Sequence, residues 1–257
     1  MNVTLITGAS KGIGRSLAYE CARHGEDLLL VARSQDLLED LKSDLEQRFS
    51  INVLVYTCDL TNEEHRKQLF QFSDKENLFV STLINNAGIG SNGYFWEQER
   101  SWELSIIELN IKALSELTHM YLPSMLNKNQ GAILNIASLA GFSPGPKMAT
   151  YYATKAFVVS FSQALSYELK DTDVSVCVYC PGGTESDFGD VSGNGDTVLF
   201  KVLPVADSDS VAKDAYSKLR AKRQIGYYGF SGWLTAKMSA LTPQFITIAV
   251  ANWLNSK

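Results

Sequence analysis

Short apolar runs alternate with longer amphipathic stretches from one end of this chain to the other, and that alternation restricts the fold more than any other property. Runs at residues 3-7, 28-32, 52-57, 81-85, 131-137 and 174-179, with a weaker one at 224-229, have strand length and are rich in Val, Ile and Leu. Between them, segments near 12-24, 35-49, 62-73, 101-126 and 151-170 carry apolar residues three or four apart, as in Ile13, Leu17, Cys21 or Phe157, Phe161, Leu165, Leu169. A strand apolar on both faces, such as Leu28-Leu29-Leu30-Val31, belongs in a parallel sheet covered by helices on both sides. The expected architecture is α/β: a Rossmann-type, doubly wound, mainly parallel sheet of seven strands.

The 257 residues, 45% hydrophobic and 20% charged, suit one domain with a large core. No low-complexity linker divides them, so 1-257 reads as a single domain with 183-257 as its variable portion. Within that portion, residues 182-206 are rich in Gly, Ser, Thr and Asp and are expected to form an irregular, mobile segment near a site. A net charge of −5 offers no field for a phosphate backbone, and no nucleic-acid partner is expected. Four cysteines without regular spacing make no disulfide framework and suit a reducing, cytoplasmic compartment. Cys177-Val178-Tyr179-Cys180 sits on a strand, where residues three apart face opposite ways, so no redox pair is expected. His24, His65 and His119 lack a ligand spacing, and no metal is expected. The first residues form a strand-like run ending at Gly8, with no room for a secretory signal. Phe245 to Leu254, broken by Thr247 and Asn252, is half the length of a bilayer span; no integral membrane segment is expected, and a peripheral contact through that end stays open.

Thr7-Gly8-Ala9-Ser10-Lys11-Gly12-Ile13-Gly14 stands between the first strand and the first helix. There, backbone N–H groups and the positive helix end can meet a diphosphate, and a Cβ would keep it away. The glycines alone would also suit an ordinary turn; their place in the strand-loop-helix order favours a dinucleotide. A carboxylate about 20 residues further on would select NAD by its ribose hydroxyl. The second strand instead ends Val31-Ala32-Arg33-Ser34, with no acid. Arg33 and Lys11 are the cations for a 2′-phosphate, so NADP(H) is the expected cofactor, although a surface arginine would look the same.

Tyr151-Tyr152-Ala153-Thr154-Lys155 opens a helix, and a spacing of four puts Tyr151 and Lys155 on one face. A phenol with a pKa near 10 needs roughly three units of lowering, about 4 kcal/mol, to exchange protons readily at neutral pH. An adjacent ammonium and a positive nicotinamide are expected to supply it. Ser138 ends the fifth strand, where open α/β folds bind ligands, and its hydroxyl suits a carbonyl oxygen.

With its G-x-x-x-G-x-G loop, Asn85-Asn86-Ala87-Gly88, Tyr151-x-x-x-Lys155 and Pro181-Gly182, the chain resembles the short-chain dehydrogenase/reductase family over its whole length. The resemblance implies an oxidoreductase that transfers a hydride between C4 of a nicotinamide and the carbon of a small-molecule carbonyl or alcohol. Tyr151 is implied as acid and base, Ser138 as polariser, Lys155 as ribose ligand and modulator of the phenol, and Asn110 as holder of a water that relays protons to Lys155. Around the cofactor it implies Gly8, Ser10, Lys11, Gly12, Ile13 and Gly14 at the diphosphate and Asp59 and Leu60 at the adenine. Asn86, Ala87 and Gly88 are implied at the sheet edge beside the adenosine, and Pro181, Gly182 and either Thr184 or Ser186 at the carboxamide. Asp59 could equally be a turn or cap residue before the helix beginning near Asn62. A homodimer or homotetramer is implied, through the helices at 101-126 and 151-170.

Substrate choice is expected from Tyr94-Phe95-Trp96, Phe142 to Met148, and 183-206; the first two are mostly apolar, which suggests a lipophilic or acyl ketone. A 3-oxoacyl-carrier-protein reductase is the alternative, opposed by Asp171-Thr172-Asp173 where an acidic carrier would dock. A non-catalytic dinucleotide sensor is another, since fold does not fix function, but such proteins usually lose Tyr151 or Lys155. The acidic run Glu97 to Glu103 and the basic run Lys213 to Arg223 read as solvated helix faces.

Overall fold

Each apolar run pairs in parallel with another across a helical crossover. The computed structural model describes residues 1–185 and 188–257. The strands are β1 (Asn2–Thr7), β2 (Leu28–Ala32), β3 (Val53–Thr57), β4 (Phe79–Asn85), β5 (Gly131–Ile136), β6 (Val174–Cys180) and β7 (Ile225–Tyr227). They form one sheet in the order β3-β2-β1-β4-β5-β6-β7, every neighbouring pair parallel. The helices are α1 (Gly12–Arg23), α2 (Gln35–Arg48), α3 (Glu63–Lys75), α4 (Arg100–Ile107), α5 (Leu114–Asn127) and α6 (Ala149–Glu168), then α7 (Phe188–Ser192), α8 (Val198–Val202), α9 (Ser208–Arg220), α10 (Gly229–Leu241) and α11 (Gln244–Leu254). The strand order reverses between β1 and β4, and that switch point opens a crevice at the C-terminal ends of the strands.

The unbroken apolar strands serve two cores. Leu28 and Leu30 pack with α1, α2 and α9 residues such as Leu17, Leu41 and Val211, while Leu29 and Val31 face Leu69, Leu117 and Tyr121 on the other side. Cys177 and Cys180 fall in different clusters, as residues three apart on a strand must. Residues 188–202 include two short helices, α7 and α8, rather than the irregular stretch their composition suggests. The last strand ends at Tyr227, two residues before its expected end, because Gly229, at φ +64, starts α10. No helix among the described residues is long and apolar enough to cross a membrane.

The helical stretch expected at 101-126 is interrupted by a π-helical turn, Glu108–Ala113, between α4 and α5. Arg66, fully buried, braces it: Nη2 donates to Glu108 Oε1 at 3.0 Å, Nε to Glu116 Oε2 at 2.6 Å and Nη1 to the Leu60 carbonyl at 2.6 Å. Lys112 Nζ also meets Glu108 at 3.2 Å and Glu116 at 3.8 Å, so removing the guanidinium leaves two carboxylates only partly compensated and takes the donor from the Leu60 carbonyl. Arg66→Ala should therefore lower unfolding stability by about 3 kcal/mol, read from the urea midpoint at constant m. A loss too small to shift that midpoint would mean that the turn is held by packing alone.

Candidate active site

The glycine loop takes its shape from backbone constraints and from a clasp across the switch point. Gly8 and Gly12 have φ of +64 and +53, where a side chain is strained. A Cβ on Gly14 would lie 2.2 Å from the Gly8 carbonyl oxygen and 2.4 Å from Asn86 Nδ2. That amide donates to the Thr7 carbonyl at 3.0 Å and to the Gly8 carbonyl at 3.2 Å. Thr7 Oγ1 in turn accepts from the N–H groups of Asn86 at 3.0 Å and Ala87 at 3.1 Å. Among the described residues no side chain caps the start of α1, and its first turn holds no acid, so its positive end opens onto the crevice.

One cavity of about 790 Å³ runs from this loop to the catalytic candidates. Gly8, Ser10, Lys11, Gly12, Ile13 and Arg33 line one end; Ser138, Tyr151, Lys155, Pro181, Gly182 and Thr184 line the other, with Asn86, Ala87 and Gly88 between. Ser138 follows β5, and its Oγ accepts the Ala140 N–H at 3.1 Å. Tyr151 lies in the first turn of α6 and Lys155 one turn on, its Nζ 5.7 Å from the Tyr151 ring centroid. That Nζ donates to the Ile136 carbonyl at 2.9 Å.

Burial pushes the Tyr151 hydroxyl well above its ordinary pKa, against a hydrogen bond from Ser138. The lowering expected from Lys155 does not follow from the protein's own groups. The ammonium is itself buried, which brings it down to about 8, and it is turned to the Ile136 carbonyl. The same burial makes Lys155 a cost to folding, since the unfolded chain keeps its proton up to the usual lysine pKa. The penalty is roughly 3 kcal/mol below pH 8 and fades as the pH rises towards about 10.4. Lys155→Met should accordingly raise the denaturation midpoint of the ligand-free protein at pH 7, with the gain shrinking towards pH 10. A variant less stable than wild type at pH 7 would overturn this.

Not every expected site residue reaches the cavity. Asp59 and Leu60 are absent from its lining. Leu60 is buried in the core, and the Asp59 carboxylate accepts from the Thr61 N–H at 3.0 Å and the Thr61 hydroxyl at 2.8 Å. Burial opposes its charge, but these bonds and the nearby Arg33 guanidinium hold the carboxyl below its usual range. Asp59 Oδ1 therefore fills the turn role its position also allowed, while Asn62 caps α3. Gly14 packs against the loop instead of lining the cavity. Asn110 lies behind it, in the π-helical turn: Oδ1 accepts the Ile89 N–H at 3.0 Å, and Nδ2 donates to the Ile89 carbonyl at 2.9 Å and to Thr154 Oγ1 at 3.0 Å. Three of the four hydrogen bonds its side chain can make are thus spent on the Ile89 backbone and Thr154, and they position the backbone before the site. Ser186 lies outside the described residues. Thr184 donates its hydroxyl to the Gly182 carbonyl at 3.2 Å.

The substrate wall also differs from expectation. Tyr94, Phe95 and Trp96 line no part of the cavity and are exposed. The other two expected segments do line it, through Met148 and through Phe188, Leu199 and Phe200, and they are joined by Leu234, Met238, Ile246 and Val250 from α10 and α11. Three further residues make hydrogen bonds around the site, and of these Asn255 lines the cavity. Asn255, buried after α11, accepts the Tyr152 hydroxyl at 3.2 Å and donates to the Pro146 carbonyl at 2.9 Å. Glu103, expected on a solvated face, is buried and accepts the Ser91 hydroxyl at 2.6 Å, while Trp102 Nε1 donates to the Gly90 carbonyl at 3.1 Å. An asparagine after an apolar helix and an acid in a charged run carry no sequence signal of burial.

A switch-point crevice with an uncapped helix start, glycines that admit no Cβ and two cations, Lys11 and Arg33, at the same end has the donor set for a dinucleotide diphosphate. The fold and this cavity define a nucleotide-binding α/β protein. Residues 2–195 match the family described as short chain dehydrogenase, and the chain belongs to that family, whose members are oxidoreductases that use nicotinamide cofactors. A short-chain dehydrogenase from Sphingobium yanoikuyae in complex with NADPH is similar at 31% identity and a TM-score of 0.84, over 94% of this chain and 92% of that one. The bulky-bulky ketone specific alcohol dehydrogenase from Comamonas testosteroni is similar at 27% identity and a TM-score of 0.79, with the same coverage. Among curated proteins, a very-long-chain 3-oxoacyl-CoA reductase of Laccaria bicolor is 32% identical over 174 residues, 67% of this chain and 52% of that protein. The chain spans about half the length of the curated relatives it matches.

Proposed function

We propose that this chain is an NADP(H)-dependent oxidoreductase that interconverts a lipophilic or acyl ketone and its secondary alcohol. The observation that carries this reading is the single cavity, with the glycine loop and Arg33 at one end, and Ser138, Tyr151 and Lys155 meeting an apolar wall at the other. Bound nicotinamide supplies the hydride at C4 and, when oxidised, a positive charge. The protein's groups handle the proton. Ser138, whose Oγ already accepts the Ala140 N–H, has its own proton to donate to a carbonyl oxygen. Tyr151 delivers its hydroxyl proton to the same oxygen during reduction and takes it back during oxidation. Lys155, one turn away, orients the ribose, and Asn110 holds the Ile89 backbone and Thr154 in place behind them.

Arg33 on the cavity wall and the lack of an acid at the end of β2 support NADP(H), as does the NADPH bound by the Sphingobium relative. The apolar wall and the names of the curated relatives support a long acyl or other bulky apolar substrate. Four buried free thiols support a reducing, cytoplasmic compartment. The exposed Leu104 and Ile107 on α4 and Phe157 on α6 support self-association through that face. The test is NADPH oxidation with a ketone series of increasing chain length. The specificity constant should rise with apolar length, and a preference for a polar sugar ketone would refute the substrate reading.

A further inference from the structure

We propose that the α10–α11 face is a docking surface for an anionic lipid bilayer, set around the mouth of the substrate cavity. Phe230, Leu241, Phe245 and Trp253 stand 73%, 82%, 73% and 55% exposed, and none of them lines the cavity. Leu234, Met238, Ile246 and Val250 are partly exposed and also line it, so the patch and the mouth are one continuous apolar surface. Soluble monomers rarely leave so many large apolar side chains together in water.

Charge selects the occupant. Residues 224–256 contain Lys237 and no Asp or Glu, and α8 beside α11 adds Lys201, again with no acid. In a chain of net charge −5, the only charged side chains on α8, α10 and α11 are therefore two lysines. Aromatic residues with lysines at their margin suit the interface of an anionic bilayer, where apolar burial and attraction to headgroups add. A second copy docked through the same helices would offer these lysines no acid to pair with, and the exposed α4–α6 residues lie on a different part of the chain. Docking would set the cavity mouth against lipid, so that a substrate of low solubility enters without crossing water. That consequence, unlike the docking, rests on the proposed substrate class.

The test is co-sedimentation of the full chain with vesicles of phosphatidylcholine alone or mixed with phosphatidylglycerol, without substrate. Binding is expected to the mixed vesicles, with at least about tenfold less for the double variant Leu241→Glu, Phe245→Glu. Lys237→Glu should weaken it by about fivefold or more. NADPH binding and turnover of a short soluble ketone should be unchanged in these variants, which shows that they are folded. Brominated lipid should also quench Trp233 and Trp253 in the unmodified chain, a readout that needs no variant. No pelleting and no quenching would overturn the proposal. So would self-association that the double variant abolishes without any vesicle binding, since it would assign the face to a second copy. An inactive chain that still binds vesicles would sink the proposed reaction and leave the docking standing.

Discussion

Tyr151→Phe should lower kcat by about 10²- to 10⁴-fold, the usual contribution of a positioned acid or base, while leaving the Kd for NADPH within about threefold of wild type. The substitution is nearly pure chemistry. The ring keeps its packing against Phe188, with centroids 5.1 Å apart, and against Tyr152 at 6.3 Å. Only the hydroxyl and its hydrogen bond with Ser138 are lost. Burial holds the phenol protonated in the ligand-free chain, so its proton becomes transferable only when positive charge is brought beside it. The activity of wild type in the oxidative direction should therefore rise with pH along a single ionisation that the variant lacks. Cofactor binding by fluorescence and turnover at saturation separate the two effects, and a variant within tenfold of the wild-type rate would remove Tyr151 from the proton-transfer role.

Replacing Ala32 with Asp and Arg33 with Ala should invert cofactor preference. Ala32 ends β2 and Arg33 lines the cavity beside the glycine loop. A guanidinium that meets a phosphate with charge-assisted hydrogen bonds contributes about 1.5–3 kcal/mol for each. A carboxylate one residue earlier, at position 32, repels the same phosphate and accepts from a ribose hydroxyl. The combined swing in the NADPH to NADH ratio of kcat/KM should be on the order of 10³. Lys11 remains, so NADPH binding should weaken rather than vanish. An unchanged ratio would place the phosphate elsewhere.

The sheet was legible because strands such as Leu28-Leu29-Leu30-Val31 have no polar face, a condition only a doubly covered parallel sheet satisfies. Ser138, Tyr151 and Lys155 were legible because their spacing survives translation into a strand end and one helical turn. Neighbours from distant segments decided the rest. The π-helical turn at Glu108–Ala113 is braced by Arg66, some forty residues earlier, which no local window contains. Tyr94-Phe95-Trp96 and Glu103 were misplaced for a common reason: side-chain polarity does not tell whether a loop or helix face turns in or out. Asp59 shows another case, where a residue in a family position also bonds within its own turn through Oδ1.

The clasp of Asn86 on Gly8 joins residues 78 positions apart. The loop that is to hold the cofactor therefore cannot take its final form while only the first β-α-β unit has been synthesised. It must wait until β4 has docked beside β1, a non-local pairing whose loop-closure entropy is lost before the contact is gained. The dinucleotide can then stabilise a finished chain by mass action, but it cannot template the first half of it.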